Sequence, residues 1–196
     1  MHIEKDKLIT SFNEWEEQLT NHSLPSWDNL PDIELYMDQV ISLIEKYLKI
    51  YIKVTNSDKL ITRSMINNYV KLEIIPSPNK KKYSKIHLAY LLIICTLKQT
   101  LNMATIQKII PVNMTDEEVM NTYNSFVINQ HKAYLYVVEN TKTVSAPILS
   151  YDGENNERIN DLVMQVAASA NIFKILTDKI SDLSMNKTET ENNNDW

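Results

Sequence analysis

Arg63, Asn67 and Asn68 lie close together in the chain, and Lys80, Lys81 and Lys82 follow shortly after. Arg and Asn are the side chains whose paired hydrogen-bonding groups match base edges, Arg to guanine and Asn to adenine. Adjacent ammonium groups suit phosphates, which they use to orient a protein without reading sequence. The stretch that holds all of them, Lys59 to Lys108, carries nine Lys/Arg and one acid, Glu73; this block of +8 sits in a chain of formal charge −5 whose other 11 bases and 24 acids sum to −13. Such asymmetry points to a polyanion partner. A helix over Thr62–Lys71, started by Thr62, puts Met65, Ile66, Tyr69 and Val70 on an inner face and Arg63, Ser64, Asn67, Asn68 and Lys71 outside. That arrangement predicts double-stranded DNA as the partner, with Arg63, Asn67 and Asn68 toward bases and Lys71, Lys80, Lys81 and Lys82 on phosphates.

Other chemistry finds few residues to carry it. His2, His22, His87 and His131 show no ligand spacing with one another or with Cys95, so neither a metal nor another cofactor is expected. No acid pair or nucleophile arrangement stands out, and the chain is expected not to be an enzyme. Cys95 lies among Ile93, Ile94, Thr96 and Leu97 and reads as a small buried hydrophobe. A single glycine, Gly153, argues against hairpin-rich and nucleotide-cradling folds, which need glycine for positive φ or close approach. One cysteine rules out an intrachain disulfide. The start of the chain lacks an apolar signal region, and the longest apolar run, His87–Leu97, is too short to span a bilayer, so a cytoplasmic location is expected.

The elements that must position these residues follow from apolar spacing. Ile3, Leu8, Ile9, Phe12, Trp15 and Leu19 predict a helix over 3–19. Pro25 and Pro31 break the chain, Asp32 is a plausible cap, and a helix to about Ile52 uses Met37, Val40, Ile41, Ile44, Leu48 and Tyr51. Thr55–Asp58 is a polar break. Pro76 and Pro78 force the chain out of helix after Lys71. Asn79–Lys82 reads as a polar loop, Ser84 as the cap of a long apolar helix to about Leu101, and Thr105–Ile110 as a short helix. Thr115-Asp116-Glu117-Glu118 is a capping sequence for a helix to Glu139. Thr141–Asn155 reads as a linker, Asn156–Leu183 as the last helix, and Ser184–Trp196 as a disordered tail. Ala167-Ala168-Ser169-Ala170 allows close helix approach, either within the chain or at a dimer seam. Trp15, Trp27, Tyr123, Tyr134 and Tyr136 read as core filling rather than as a ligand pocket.

The phrases Met65-Ile66-Asn67-Asn68-Tyr69, Lys80-Lys81-Lys82-Tyr83 and Leu97-Lys98-Gln99, with Leu35-Tyr36-Met37-Asp38-Gln39-Val40 upstream, resemble the DUF1836 family of bacterial proteins. The resemblance covers roughly residues 25 to 180. The same block is similar, more weakly, to the MerR-type winged helix-turn-helix. Ile66, Asn67 and Tyr69 fall on that pattern's Leu, Arg and Tyr; Ile74, Ile75 and Pro76 follow its turn; Lys81 and Tyr83 match the basic and aromatic positions of its wing. Three positions depart: Glu73 stands for the turn glycine, Asn67 for the phosphate-binding Arg, and Asn79 for the wing glycine. Tyr83 joins the candidate DNA-binding set through this resemblance, although packing is the simpler role for Tyr69 and Tyr83.

The expected fold is all-α, a helical protein containing a MerR-like winged helix-turn-helix with additional N- and C-terminal helices. Its parts are N-terminal helices over 1–54, the helix-turn-helix over 55–111, a C-terminal dimerisation or sensor region over 112–183, and the tail over 184–196. The expected function is a DNA-binding transcription regulator acting as a homodimer on a palindromic site, with no membrane role. The rivals are a protein–protein adaptor that keeps the shape without binding DNA, and a small-molecule sensor.

Overall fold

The computed structural model describes residues 5–52, 59–150 and 156–192. Among the described residues the chain is mainly helical, with two short strands. In order it runs α1 (Lys5–Thr20), a 3₁₀ turn (Trp27–Asn29), β1 (Leu35–Tyr36), α2 (Met37–Tyr47), α3 (Lys49–Ile52), α4 (Arg63–Lys71), β2 (Lys82–Tyr83), α5 (Lys85–Leu97), α6 (Met103–Ile109), α7 (Asp116–Leu149) and α8 (Asn156–Asn192). Two compact units divide it: Gln18–Leu135, and Met1–Glu17 with Tyr136–Trp196. The boundaries expected near 54 and 111 fall inside the first unit. No described helix is long and apolar enough to cross a membrane.

The first unit is built around α5. Its residues His87 to Cys95 are all buried, so this helix is apolar on every side, as a central helix must be. Val40 and Ile44 of α2, Ile66 and Tyr69 of α4, and Ile106 of α6 close around it. Cys95 belongs to this core; burial pushes its thiol up to about 12, which leaves it inert at neutral pH. Asn102 caps α6 by accepting from Thr105 N–H at 2.9 Å. Thr115 and Glu118 cap α7 reciprocally: Glu118 Oε2 accepts from Thr115 N–H at 2.7 Å, and Thr115 Oγ1 accepts from Glu118 N–H at 3.3 Å.

Several expected boundaries differ. The helix after Pro31 does not start at Asp32; Gln39 Oε1 accepts from Tyr36 N–H at 2.9 Å and starts it at Met37. It stops at Tyr47, and Lys49–Ile52 is a separate turn of helix. Helix α5 ends at Leu97 rather than near Leu101. The expected loop at Asn79–Lys82 is a tight turn leading into β2, and β2 pairs antiparallel with β1, Leu35 opposite Tyr83 and Tyr36 opposite Lys82. The breaks expected at Thr55–Asp58 and around Gly153 lie outside the described residues.

The second unit holds α1, the C-terminal part of α7, and α8. Helix α7 does not end at Glu139 but continues to Leu149 with Pro147 inside it. Ile148 explains the extension: it is buried against Ile159 and Leu162 of α8, with Leu8, Phe12 and Val144 packed around them. That cluster rewards helix where local propensity and Pro147 argue for a break. The backbone of α8 continues past Leu183 to Asn192, where the sequence suggested a disordered tail.

Candidate nucleic-acid interface

Helix α4 begins where expected because Thr62 caps it. Its Oγ1 accepts from Met65 N–H at 3.2 Å, and the residue itself is extended. Ile66 and Tyr69 are buried, whereas Arg63, Ser64, Asn67, Asn68 and Lys71 are exposed on the opposite face. The helix ends in a Schellman motif. Glu73 N–H donates to Val70 C=O at 3.1 Å, and Ile74 N–H to Tyr69 C=O at 2.8 Å. This motif requires a left-handed residue after the cap, and Glu73 provides it at φ 52°. The glycine missing from the helix-turn-helix pattern is thus replaced by a residue forced into glycine's conformation.

The lysine turn shows the same thing twice. Lys82 N–H donates to Asn79 C=O at 2.8 Å, closing a four-residue turn whose central residues Lys80 and Lys81 have φ of 46° and 64°. Two positive φ values at the centre define a type I′ turn, the geometry that suits a twisted hairpin and normally selects Asn-Gly. The positive φ falls on Lys80 and Lys81, not on Asn79. A non-glycine residue in this region costs about 1–2 kcal/mol. Both lysines are exposed at the turn tip.

The turn is anchored from behind. Tyr83 is only 3% exposed, and its ring lies edge-on to His87, centroids 5.3 Å apart. It therefore packs behind the lysine turn and leaves the candidate contact set. His87 Nδ1 accepts from Ser84 N–H at 3.0 Å, fixing the first turn of α5 directly after β2. Burial holds the His87 pKa below the ordinary histidine value, against an opposite pull from the Ser77 and Pro76 backbone.

Three cations of the basic block meet carboxylates from one short segment. Arg63 is ion-paired with Asp38 of α2, Lys82 Nζ lies 3.7 Å from Glu34, and Lys85 Nζ lies 2.8 Å from Asp32. Lys82 also stands over the Tyr36 ring at 5.8 Å and Lys85 over the Trp27 ring at 5.3 Å. A fourth, Lys98, donates to Leu60 C=O at 2.8 Å. Among the described residues, Lys71, Lys80 and Lys81 have no carboxylate partner within ion-pair distance. The acids Asp32, Glu34 and Asp38 were missing from the sequence-based site. Their crowding into 32–38 was visible, but pairing across tens of residues was not.

The candidate residues thus divide. Arg63, Ser64, Asn67, Asn68 and Lys71 share the outer face of α4; Lys80 and Lys81 form the turn tip; Lys82 lies at the start of β2, engaged by Glu34; Thr62 is occupied as a cap; Tyr83 is internal. Strand β1, immediately before α2, holds β2 in place, and α2 packs on α4.

No curated protein and no solved structure matches this chain. A family model does, over residues 25–142, which stops short of the residue 180 suggested by sequence resemblance and leaves α8 outside. That span takes in α2, α4, the lysine turn and α5, and on this ground the chain belongs to the DUF1836 family, a domain of unknown function.

Proposed function

We propose that the unit Gln18–Leu135 binds duplex DNA and that the protein is a transcription regulator with a MerR-like helix-turn-helix. In this reading α4 lies in the major groove, α2 packs behind it, and Lys80–Lys81 form the tip of a wing. The observation that carries it is the lysine turn. Nothing in packing requires lysine at Lys80 or Lys81, and glycine or asparagine would relieve both left-handed positions. Residues that break a local rule mark functional sites more often than others. Arg63, Asn67 and Asn68 would read bases, and Lys71, Lys80 and Lys81 would hold phosphates. Two copies would match the two-fold symmetry of a palindromic operator.

The test is duplex binding by fluorescence anisotropy, using DNA from upstream of the protein's own gene. Lys80→Glu with Lys81→Glu is expected to weaken binding to all sequences by tenfold or more. Asn67→Ala is expected to relax base preference by about 1–3 kcal/mol at one position. A folded protein that binds no duplex at about 50 mM salt, where phosphate contacts are strong, overturns the reading.

One observation favours the adaptor reading as the rival. Asp32, Glu34 and Asp38 already occupy Lys85, Lys82 and Arg63, leaving a surface of mixed charge that suits a protein partner. Both partners of the Arg63–Asp38 pair are about two-thirds exposed, however, and such a pair contributes only about 0–1 kcal/mol, so phosphate can exchange with it. A peptide or protein captured by the α4 face with no competition from duplex would decide for the adaptor.

A further inference from the structure

The segment between α1 and the 3₁₀ turn is irregular, yet α7 pins it at two places. The Tyr123 hydroxyl donates to Pro25 C=O at 2.8 Å, and Trp27 N–H donates to Asn124 Oδ1 at 3.0 Å. Beside these pins, between the segment and the next turns of α7, lies an open groove of about 770 Å³, wholly inside the unit Gln18–Leu135. Its size is that of a small-molecule site. The apolar part of the lining is Leu24, Pro25, Val127 and Ile128; the polar part includes hydroxyls at Ser23 and Ser26 and amides at Asn21 and Asn29. The chain has 25 acids, but none lines this groove, and its one formal charge is Lys132. Among the described residues, Lys132 has no carboxylate within ion-pair distance. The donors beside it are also unspent. Asn29 Nδ2 donates to Ser26 Oγ at 3.0 Å, which leaves the hydroxyl proton free to donate outward. His131, which also lines the groove, has Nδ1 buried with no partner. With no acceptor beside Nδ1, the ring proton belongs on Nε2, the nitrogen that is not enclosed.

We infer that this groove binds a small organic anion bearing several hydroxyl groups, a sugar phosphate or a sugar acid. The anionic group meets the Lys132 ammonium and His131 Nε2–H, a charge-assisted contact of the kind that holds carboxylates and phosphates. The hydroxyls meet Ser23, Ser26 and Asn29, whose groups both donate and accept, as sugar hydroxyls do. The apolar lining takes the C–H faces of the ring. Other ligand classes fit less well. A fatty acid would leave the amides and hydroxyls facing hydrocarbon, at the cost of desolvating them. A cation would meet Lys132 with no acid to balance it. The two pins from Tyr123 and Asn124 hold Ser26 in place before any ligand arrives, which lowers the ordering cost of binding. The inference does not rest on what the α4 face binds, and its test contains no DNA.

Isothermal titration of the full chain with fructose 6-phosphate and with glucuronate should give saturable binding of at least one, with a Kd of about 1 mM or below. The tighter of the two names the anionic group. Fructose and inorganic phosphate should each bind at least about tenfold more weakly, because each lacks half of the contacts. Lys132→Glu should weaken binding at least about tenfold, as loss of a hydrogen bond to a charged group does. Lys174→Glu makes the same change of charge in the other unit and should leave binding unchanged. Ser23→Trp fills the groove from an exposed position, where the fold tolerates a larger side chain, and should abolish binding. No saturable heat from either anion at about 10 mM overturns the inference. So does fructose or inorganic phosphate that binds as tightly as the sugar anions. Binding that survives Lys132→Glu or Ser23→Trp in folded protein overturns it too, as does an equal loss in Lys174→Glu.

Discussion

Lys80, Lys81 and Glu73 share an unfavourable backbone conformation but not a role, and that separates stability from function at the level of single residues. Replacing Lys80 and Lys81 by Asn and Gly, the residues a type I′ turn prefers, is expected to stabilise the fold by about 1–2 kcal/mol in urea unfolding while weakening duplex binding. Glu73→Gly should give a comparable gain, about 1 kcal/mol, with no loss of binding. A loss of stability in either variant would contradict the turn geometry. His87 makes stability depend on pH. The fold holds its imidazole neutral, so as pH falls below about 6.5 the unfolded chain takes up a proton that the folded chain refuses. Stability should therefore be full near neutrality and decline below about pH 6.5, at no more than about 1.4 kcal/mol per pH unit from this group. His22, also held low by burial and by Lys49, adds to the same trend. His87→Gln keeps an acceptor for Ser84 N–H without a titratable ring, and its urea midpoints between pH 5 and 7.5 should vary less than those of the wild type.

The limits of helix α4 were legible in the sequence because they depend on local chemistry: a Thr62 cap, an apolar pair at Ile66 and Tyr69, and prolines at 76 and 78. Helix α5 was equally plain as a run of large apolar residues. What stayed hidden depends on contacts between distant residues. Strands β1 and β2 are two residues each and pair across a long separation, so neither has a pattern of its own. Helix α7 outlasts its expected end because Ile148 finds Ile159 and Leu162. Part of the candidate site was legible for the same reason: the α4 face could be read from helical period, whereas the acids opposite it could not. Those acids lead to a prediction at this scale. Asp38→Ala frees Arg63 and removes a negative charge beside the α4 face, and is expected to tighten duplex binding several-fold with fold stability changed by less than about 1 kcal/mol. Unchanged or weaker binding in an anisotropy titration would mean that Arg63 does not face DNA.

The charge of the molecule is divided along its two units. Gln18–Leu135 holds 13 bases and 10 acids, a net of +3, so the remainder carries −8. The overall acidity, which argues against a DNA role, thus resides mainly in the other unit.

On the proposed reading, the ion pairs across the basic surface would also set how DNA binding responds to electrolyte. A cation that meets DNA after leaving a carboxylate of its own chain exchanges one fixed anion for another, and the carboxylate it leaves recruits a cation from solution. Of the proposed phosphate and base contacts, only Lys71, Lys80 and Lys81 would replace ions condensed on the duplex without such an offset. With a slope of about −0.9 per phosphate neutralised, three lysines give about −2.7 per copy, or about −5 for two copies on one site. Counting the nine bases of Lys59–Lys108 would instead give about −8 for a single copy. Arg63, Lys82 and Lys85 behave as cations that carry their own counterions, which would leave the protein's grip on DNA less sensitive to ionic strength than its lysine content suggests.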